Sequence, residues 1–412
     1  MRYSNILHRC ALGPALATAL IGLLSNLALA SGPGAVISQQ VDISVYQHYH
    51  QDLLYTHLGQ SRGLTSPQHD LARTNIVNTL QSFGLSVALE PFVYNSTTYY
   101  NVVATQPGTD NPTQTVVVGA HFDSVNAGPG ADDNATGTAM VMEVARVLSQ
   151  HRNSKRIRYV LFDREEQGRR GSIAYVAAHG ADNTVMAVTA DMFGHDSGAY
   201  GMDLYGKSTS ATVTDGVAGA ISTYGGSLAS FLNVGTYTFS DHWSFEAAGI
   251  PAVVIIERCY TCNSYYHTAN DAVDISPTYI NYNMVADLVR SVTGYLVDTV
   301  PVSLWGDADN DGDVDDADFA QYRGCFGGPA APGCYAFDQN MDGVIDCNDW
   351  TSFKSAYLAS TGRIPLIDID SFVGVLLGTN TSPADLCISE INGDTLLDGH
   401  DVQSYVSAAL GP

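Results

Sequence analysis

Positive charge is scarce in this chain. Lys and Arg number 18 against 42 Asp and Glu in 412 residues, a formal net charge of -24 at pH 7. Such a surface repels phosphate backbones and anionic membranes, which excludes nucleic acid as the partner. Long apolar runs are equally few. One spans residues 11–30, interrupted by Pro14 and Asn26, preceded by Arg2 and Arg9, and ended by Ala28-Leu29-Ala30. That pattern reads as a secretory signal peptide over residues 1–30 rather than as a spanning helix. The expected mature chain starts at Ser31, has no membrane span, and is secreted, whether extracellular, on the cell surface or periplasmic. Cysteine is sparse too, at seven residues. Removal of Cys10 leaves an even set in an oxidising compartment, and proximity alone pairs Cys259 with Cys262, Cys325 with Cys334 and Cys347 with Cys387.

What is present is a globular chain, 45% hydrophobic, long enough for two or three domains. From about Val41 to Val300, segments alternate between continuous apolar runs and helical patterns. TQTVVVGAHFD, IRYVLFD, AVTADMFG and IPAVVIIE read as buried strands, and YYNVVATQPG as another. LARTNIVNTLQSFGLSV, ATGTAMVMEVARVLSQH, GSIAYVAAHG, HWSFEAAG and YNMVADLVRSVTGYLVDTV read as helices. The expected fold is α/β, a mostly parallel central sheet sandwiched by helices over residues 31–300. In such sheets functional groups gather beyond the carboxyl ends of the strands.

Five residues stand at those strand ends and loops: His121, Asp133, Glu166, Asp191 and His267. Their contexts are GAHFDS, GPGADDNATG, FDREEQG, ADMFG and YYHTANDA. Imidazole and carboxylate are zinc ligands, and two ions held side by side need a bridging carboxylate, a role that suits Asp133 in its Gly-rich loop. Of the adjacent acids, Glu166 binds metal in this reading while Glu165 serves as the general base. Asp123, two residues beyond His121, is the expected acceptor for the second ring nitrogen of that histidine. Asp132 reads as a neighbour only, His195 and Asp196 as loop groups, and His242 as structural or subsite-lining.

Residues 41–300 resemble the secreted co-catalytic zinc aminopeptidases of the bacterial leucyl-aminopeptidase type. The resemblance rests on the motifs above, on Gly171-Ser172 after the Glu pair, on SDH at Ser240 to His242, on GIPA at Gly249 to Ala252 and on YHT at Tyr266 to Thr268. It implies a zinc exopeptidase fold and two zinc ions, one held by His121, Asp133 and Asp191 and the other by Asp133, Glu166 and His267. It also implies peptide substrates, Glu165 as the base that activates the attacking water, and Tyr266 as a stabiliser of the developing oxyanion. Arg164 before the Glu pair and Phe193 after Asp-Met depart from the family pattern, and Arg164 bears on the expected substrate pocket. Carboxypeptidases and glutaminyl cyclases share the pattern, so removal of N-terminal residues is the favoured activity beside those alternatives and beside an inactive adhesion or scaffold protein.

Beyond a linker at 301–305 the composition changes. Residues 306–412 carry eighteen Asp and Glu against three Lys and Arg. Asp307, Asp309, Asp311, Asp313, Asp315 and Asp318 occupy ligand positions of a twelve-residue calcium loop, with Gly312 for the sharp turn. Asp338, Asn340, Asp342, Val344, Asp346 and Asp349 repeat the pattern around Gly343. Asp at the twelfth position resembles dockerin type I modules, which implies calcium and a cohesin-like or cell-surface partner. The expected organisation is a dockerin-like, EF-hand pair at 306–361 and a second helical pair at 362–412. There Glu390, Asn392, Asp394, Asp398 and Asp401 form a weaker loop with Thr395 in place of glycine.

Overall fold

Strand β3 (Asn111–His121) shows how the sequence builds the core. Its residues alternate between faces, so Val116, Val118 and Ala120 enter one apolar cluster and Val117 the other. The same alternation splits Ile157, Tyr159 and Leu161 from Val160 and Phe162, and splits Val253 and Ile255 from Ala252. Helices cover both faces. The larger cluster takes Ala135–Leu148, Pro67–Ser82, Ala211–Tyr224 and Tyr282–Thr299; the smaller takes Arg170–Ala178 through Tyr175 and His242–Ala247 through Phe245. Each such side chain, when fully buried, contributes about 1.5–3 kcal/mol relative to exposure.

The computed structural model describes residues 33–410 except 65, 109–110, 181, 301, 304, 310–312, 330–333, 340–342, 390, 392–396 and 398. The expected signal peptide lies outside these residues, as do Asp311, Asn340 and Asp342 and, in the third loop, Glu390, Asn392, Asp394, Thr395 and Asp398. Besides β3, the sheet contains β1 (Ser86–Tyr94), β2 (Thr97–Gln106), β5 (Lys155–Phe162), β6 (Thr184–Ala190), β7 (Gly201–Gly206), β8 (Ala229–Val234) and β9 (Ala252–Glu257). Their order is β1-β2-β5-β3-β6-β9-β7-β8. The central four, β5, β3, β6 and β9, run parallel; β2 joins β5, and β7 joins β9, antiparallel. A short β4 (Arg152–Asn153) pairs separately with β10 (Val302–Ser303).

The expected strands and helices of the central region are present. Strands β1, β7 and β8 and the helix Ala211–Tyr224 were not expected. The edge strand β8 leaves Leu232 and Val234 exposed, so it lacks the buried apolar run that marks the central strands. Strand β1 contains Pro91, a residue tolerated on an edge, and its burial is irregular.

A third apolar cluster, from Val314 to Tyr405, shares no residue with the first two. Its helices are Asp316–Cys325, Cys347–Thr361, Ile369–Leu376, Pro383–Ser389 and Gly399–Leu410. Tyr322 stacks on Phe353 at 4.8 Å, and Phe372 stacks on Tyr405 at 4.2 Å. Asp318 Oδ1 accepts the Ala308 N–H at 2.7 Å, Asp349 Oδ1 the Gln339 N–H at 3.0 Å, and Asp401 Oδ1 the Ile391 N–H at 2.9 Å. Each bond spans ten residues. The same loop closure therefore occurs three times. Asp315 and Asp346 cap the helices that follow, each in a reciprocal capping box with Asp318 or Asp349. Gly343 takes a left-handed φ of 88°, as the sixth position of such a loop requires.

The three expected disulfides are formed, with Cα separations of 5.3, 5.6 and 5.7 Å. No described helix is long and apolar enough to cross a membrane. Because the apolar clusters are separate, calorimetry of the whole chain should show two transitions, and a chain ending at Ser303 should retain one of them at an unchanged temperature. A single transition that disappears in the shortened chain would contradict this partition.

Candidate active site

The carboxyl ends of the parallel strands bring the five residues together. His121 ends β3, Asp191 follows β6, the Glu165-Glu166 pair lies just beyond β5, and His267 sits in the loop after β9. Asp133 precedes the helix Ala135–Leu148, whose Asn134 cap accepts the Gly137 N–H. His121 Nε2 is 3.4 Å from Asp133 Oδ1 and 3.4 Å from Asp191 Oδ1. His267 Nε2 is 3.0 Å from Asp133 Oδ2 and 3.1 Å from Glu166 Oε2. Two ligand triads therefore meet at one carboxylate, each with its donor atoms within 4.8 Å of one another.

This donor set fits divalent cations. Asp133, Asp191 and Glu166 have no Lys or Arg partner among the described residues, Glu166 Oε1 is buried without a hydrogen bond, and imidazole with carboxylate is what zinc takes. Glu165 stands outside both triads. It lines the same cavity of about 290 Å³, together with Tyr266, Arg169, Met192, Thr238, Phe239, Ile256 and Tyr260.

The supporting groups explain the placement. Asp123, fully buried, accepts the backbone N–H of Glu165 on Oδ1 at 3.1 Å and that of Glu166 on Oδ2 at 3.4 Å. Its main-chain carbonyl lies 3.1 Å from His121 Nδ1, nearer than its Oδ1 at 3.5 Å. The Asp133 loop is held from behind by Asp271, which accepts the N–H groups of Asp132 at 2.7 Å and Asp133 at 3.0 Å. Buried Arg62 donates to the carbonyls of Leu54, Phe122, Pro129 and Gly130. Gly130, at φ 63°, leaves no room for a Cβ, which would stand 2.1 Å from the Asp133 carbonyl oxygen. Left-handed backbone also occurs at Arg164, Arg169, Met192 and His267, each a strained non-glycine position costing about 1–3 kcal/mol.

Neither Asp271 nor Arg62 was singled out from the sequence. Asp271 lay within the YYHTANDA motif, four residues beyond His267, and that proximity was the available signal; Arg62 had none. The expected effect of Arg164 on the substrate pocket is corrected. Its side chain is buried over the Tyr99 ring at 4.2 Å, beside Asp163, and does not line the cavity. Asp132 turns from the triads to accept the Gly194 N–H and an Asn263 amide hydrogen. His242 is buried 5.7 Å from Phe239.

Charge coupling follows from the geometry. Burial pushes the His121 imidazole down, but the Asp191 charge and hydrogen bonds to Asp123, Asp133 and Asp191 hold it well above its ordinary range. Hydrogen bonds to Asp133 and Glu166 raise His267 to about 10. Burial, with the Asp133 charge, raises Glu166 to about 7, and burial raises Glu165 well above the usual carboxyl range.

Both imidazoles are thus biased toward their protonated form, and a metal must displace those protons. Metal affinity should rise with pH and fall in acid. Zinc titration calorimetry at pH 7 in buffers of different ionisation heat should report proton release on binding; heats independent of buffer would contradict it. Asp271→Ala should weaken zinc retention about 10–100-fold, because an outer partner of the ligand loop is lost.

Residues 101–292 match the family model described as Peptidase family M28. Leucine aminopeptidase 1 of Ajellomyces capsulatus (strain H88) is 32% identical over 196 residues, covering 42% of this chain and 50% of that protein. Leucine aminopeptidase 1 of Fusarium vanettenii is 29% identical over 219 residues, covering 47% of this chain and 54% of that protein. The chain thus spans about half the length of these curated relatives. Among solved structures, an aminopeptidase from Aneurinibacillus sp. strain AM-1 superposes with a TM-score of 0.54 at 20% identity, covering 64% of this chain and 95% of that one. A Bacteroides thetaiotaomicron glutaminyl cyclase superposes at 0.52 and 18% identity, covering 62% and 97%. Both likenesses are of fold. The region that carries the two triads is thus similar to Peptidase family M28 over residues 101–292.

Proposed function

We propose that the protein is a secreted, dizinc aminopeptidase that removes N-terminal residues from peptides. The observation that carries this reading is the shared Asp133 carboxylate between two His-containing triads, with an unligated Glu165 on the same cavity wall. His121, Asp133 and Asp191 would hold one zinc, and Asp133, Glu166 and His267 the other. When bound, the ions would polarise the scissile carbonyl and acidify water. Glu165 Oε takes the proton of the attacking water and passes it to the departing amine nitrogen. The Tyr266 hydroxyl, on the same wall, donates to the developing oxyanion. Met192, Phe239, Ile256 and Tyr260 add apolar surface to the cavity that would receive the substrate.

The names of the curated relatives favour the aminopeptidase over the carboxypeptidase and the glutaminyl cyclase. An amino-acid p-nitroanilide panel beside C-terminally free peptides and N-terminal glutaminyl peptides separates the three. Glu165→Gln should retain metal and lose kcat by about a hundred- to ten-thousand-fold or more, since proton transfer contributes that much. Near wild-type turnover with full metal content would remove Glu165 from the role.

The acidic C-terminal region is, in this proposal, a calcium-binding, dockerin-like module that attaches the enzyme to a cohesin-like or cell-surface partner. Two clusters support calcium, Asp307 with Asp309 and Asp318, and Asp313 with Asp315 and Asp318. Circular dichroism melting of the full chain should show one transition raised by calcium and lowered by a chelator selective for it. Indifference of both transitions to calcium would dismiss the module.

A further inference from the structure

The walls of the catalytic cavity are unlike in charge. Asp133, Glu165, Glu166 and Asp191 are among its lining residues, and Arg169 is the only Arg or Lys among those described. Bound metal would compensate the ligand carboxylates Asp133, Glu166 and Asp191, leaving Glu165, the base, as the uncompensated acid among the described lining residues.

Arg169 is held in place by its backbone. Its N–H donates to the Glu165 carbonyl at 2.8 Å, its own carbonyl accepts from the Ser172 hydroxyl at 3.3 Å, and its φ is 59°. The base and the guanidinium are thus anchored to one rigid turn. Its Nη1 is buried and has no hydrogen-bond partner among the described residues. Of the nearby arginines, Arg164 also has a buried Nη1 without a hydrogen bond but is paired with Asp163 at 3.5 Å and lies outside the cavity lining, while Arg170 donates to the Gln167 carbonyl at 3.0 Å and lies 5.0 Å from the Tyr94 ring centre. The nearby His242 adds no second positive charge, because burial, with the Arg169 charge, pushes it down to about 3. A partly buried guanidinium with a free donor is costly unless a ligand completes it, and a planar carboxylate matches its donor fork.

We propose that Arg169 receives a carboxylate of the substrate, so that the site favours peptides with a negative charge next to the N-terminal peptide bond. Two sources offer that group, the side chain of an N-terminal glutamate and the free C-terminus of a dipeptide. The proposal rests on the reading of this cavity as the peptide site.

Its test compares kcat/KM of the zinc-loaded full chain for glutamyl against glutaminyl p-nitroanilide, and for Leu-Gly against Leu-Gly amide. In at least one pair the carboxylate should be favoured roughly tenfold or more, and Arg169→Met should bring that ratio close to one. Arg169→Lys, which keeps the charge but loses the fork, should retain part of it. The first pair assigns the side chain, the second the C-terminus. Ratios identical in wild type and Arg169→Met in both pairs overturn the proposal. If the wild type cleaves none of the substrates, the aminopeptidase reading fails by itself. Calorimetric binding of glutamic acid α-amide against glutamine α-amide, and of Leu-Gly against its amide, then decides the carboxylate site: a difference lost in Arg169→Met upholds it, and equal binding overturns it.

Discussion

One carboxylate is shared by two histidines. Asp133 presents Oδ1 to His121 and Oδ2 to His267, and both triads are complete only while that side chain stays between them. A group with this duty cannot sit on a mobile loop. Its segment is fastened on three sides, by the Asp271 carboxylate on two backbone N–H groups, by Arg62 on the Pro129 and Gly130 carbonyls, and by the Asn134 cap that opens the helix Ala135–Leu148. Gly130 permits the chain to pass where any side chain would strike Asp133.

The electrostatic cost of this arrangement is large. Asp133, Asp191, Glu165, Glu166 and Asp241 are gathered in a largely buried region, where each carboxylate raises the energy of ionising the next. Burial pushes Asp241 up to about 7. The His121 and His267 imidazoles, both raised, oppose that charge, and divalent cations would oppose it more strongly. The parallel core makes the concentration tolerable. Its buried strands β5, β3, β6 and β9 hold the strand ends rigidly, and the left-handed residues Arg164, Arg169, Met192 and His267 are confined to the loops they carry.

Much of this was legible in the sequence. Continuous apolar strands such as TVVVGAH and IPAVVIIE announce a sheet covered on both faces, and His121, Asp133, Glu166, Asp191 and His267 are drawn from the ends of such segments. Asp123 stands out for its closeness to His121, whose Nδ1 is 3.5 Å from its Oδ1; that its carboxylate also accepts the backbone N–H groups of the Glu pair is a three-dimensional relation that spacing does not encode. Arg62 was invisible for a similar reason. It is far in sequence from the carbonyls it serves, and a single arginine in a polar stretch has no pattern. Strands β7 and β8 went unseen because glycines and half-exposed edge residues blur the apolar signal. Arg164 and Arg169 exchanged places: the one flagged for the pocket is stacked in the interior, and the unflagged one lines the cavity.

The C-terminal region follows a different logic, in which repetition replaces a large core. Three aspartates, Asp318, Asp349 and Asp401, close their loops with the same backbone bond, and aromatic stacking joins the helices that follow. Nothing in that scaffold is required to complete the triads. The central claim concerns Asp133 alone, and anomalous scattering at the zinc edge from crystals of the metal-loaded protein tests it most directly. The account predicts two peaks, one beside His121 and Asp191 and one beside Glu166 and His267, with Asp133 between them; a single peak, or peaks that do not share Asp133, would contradict it.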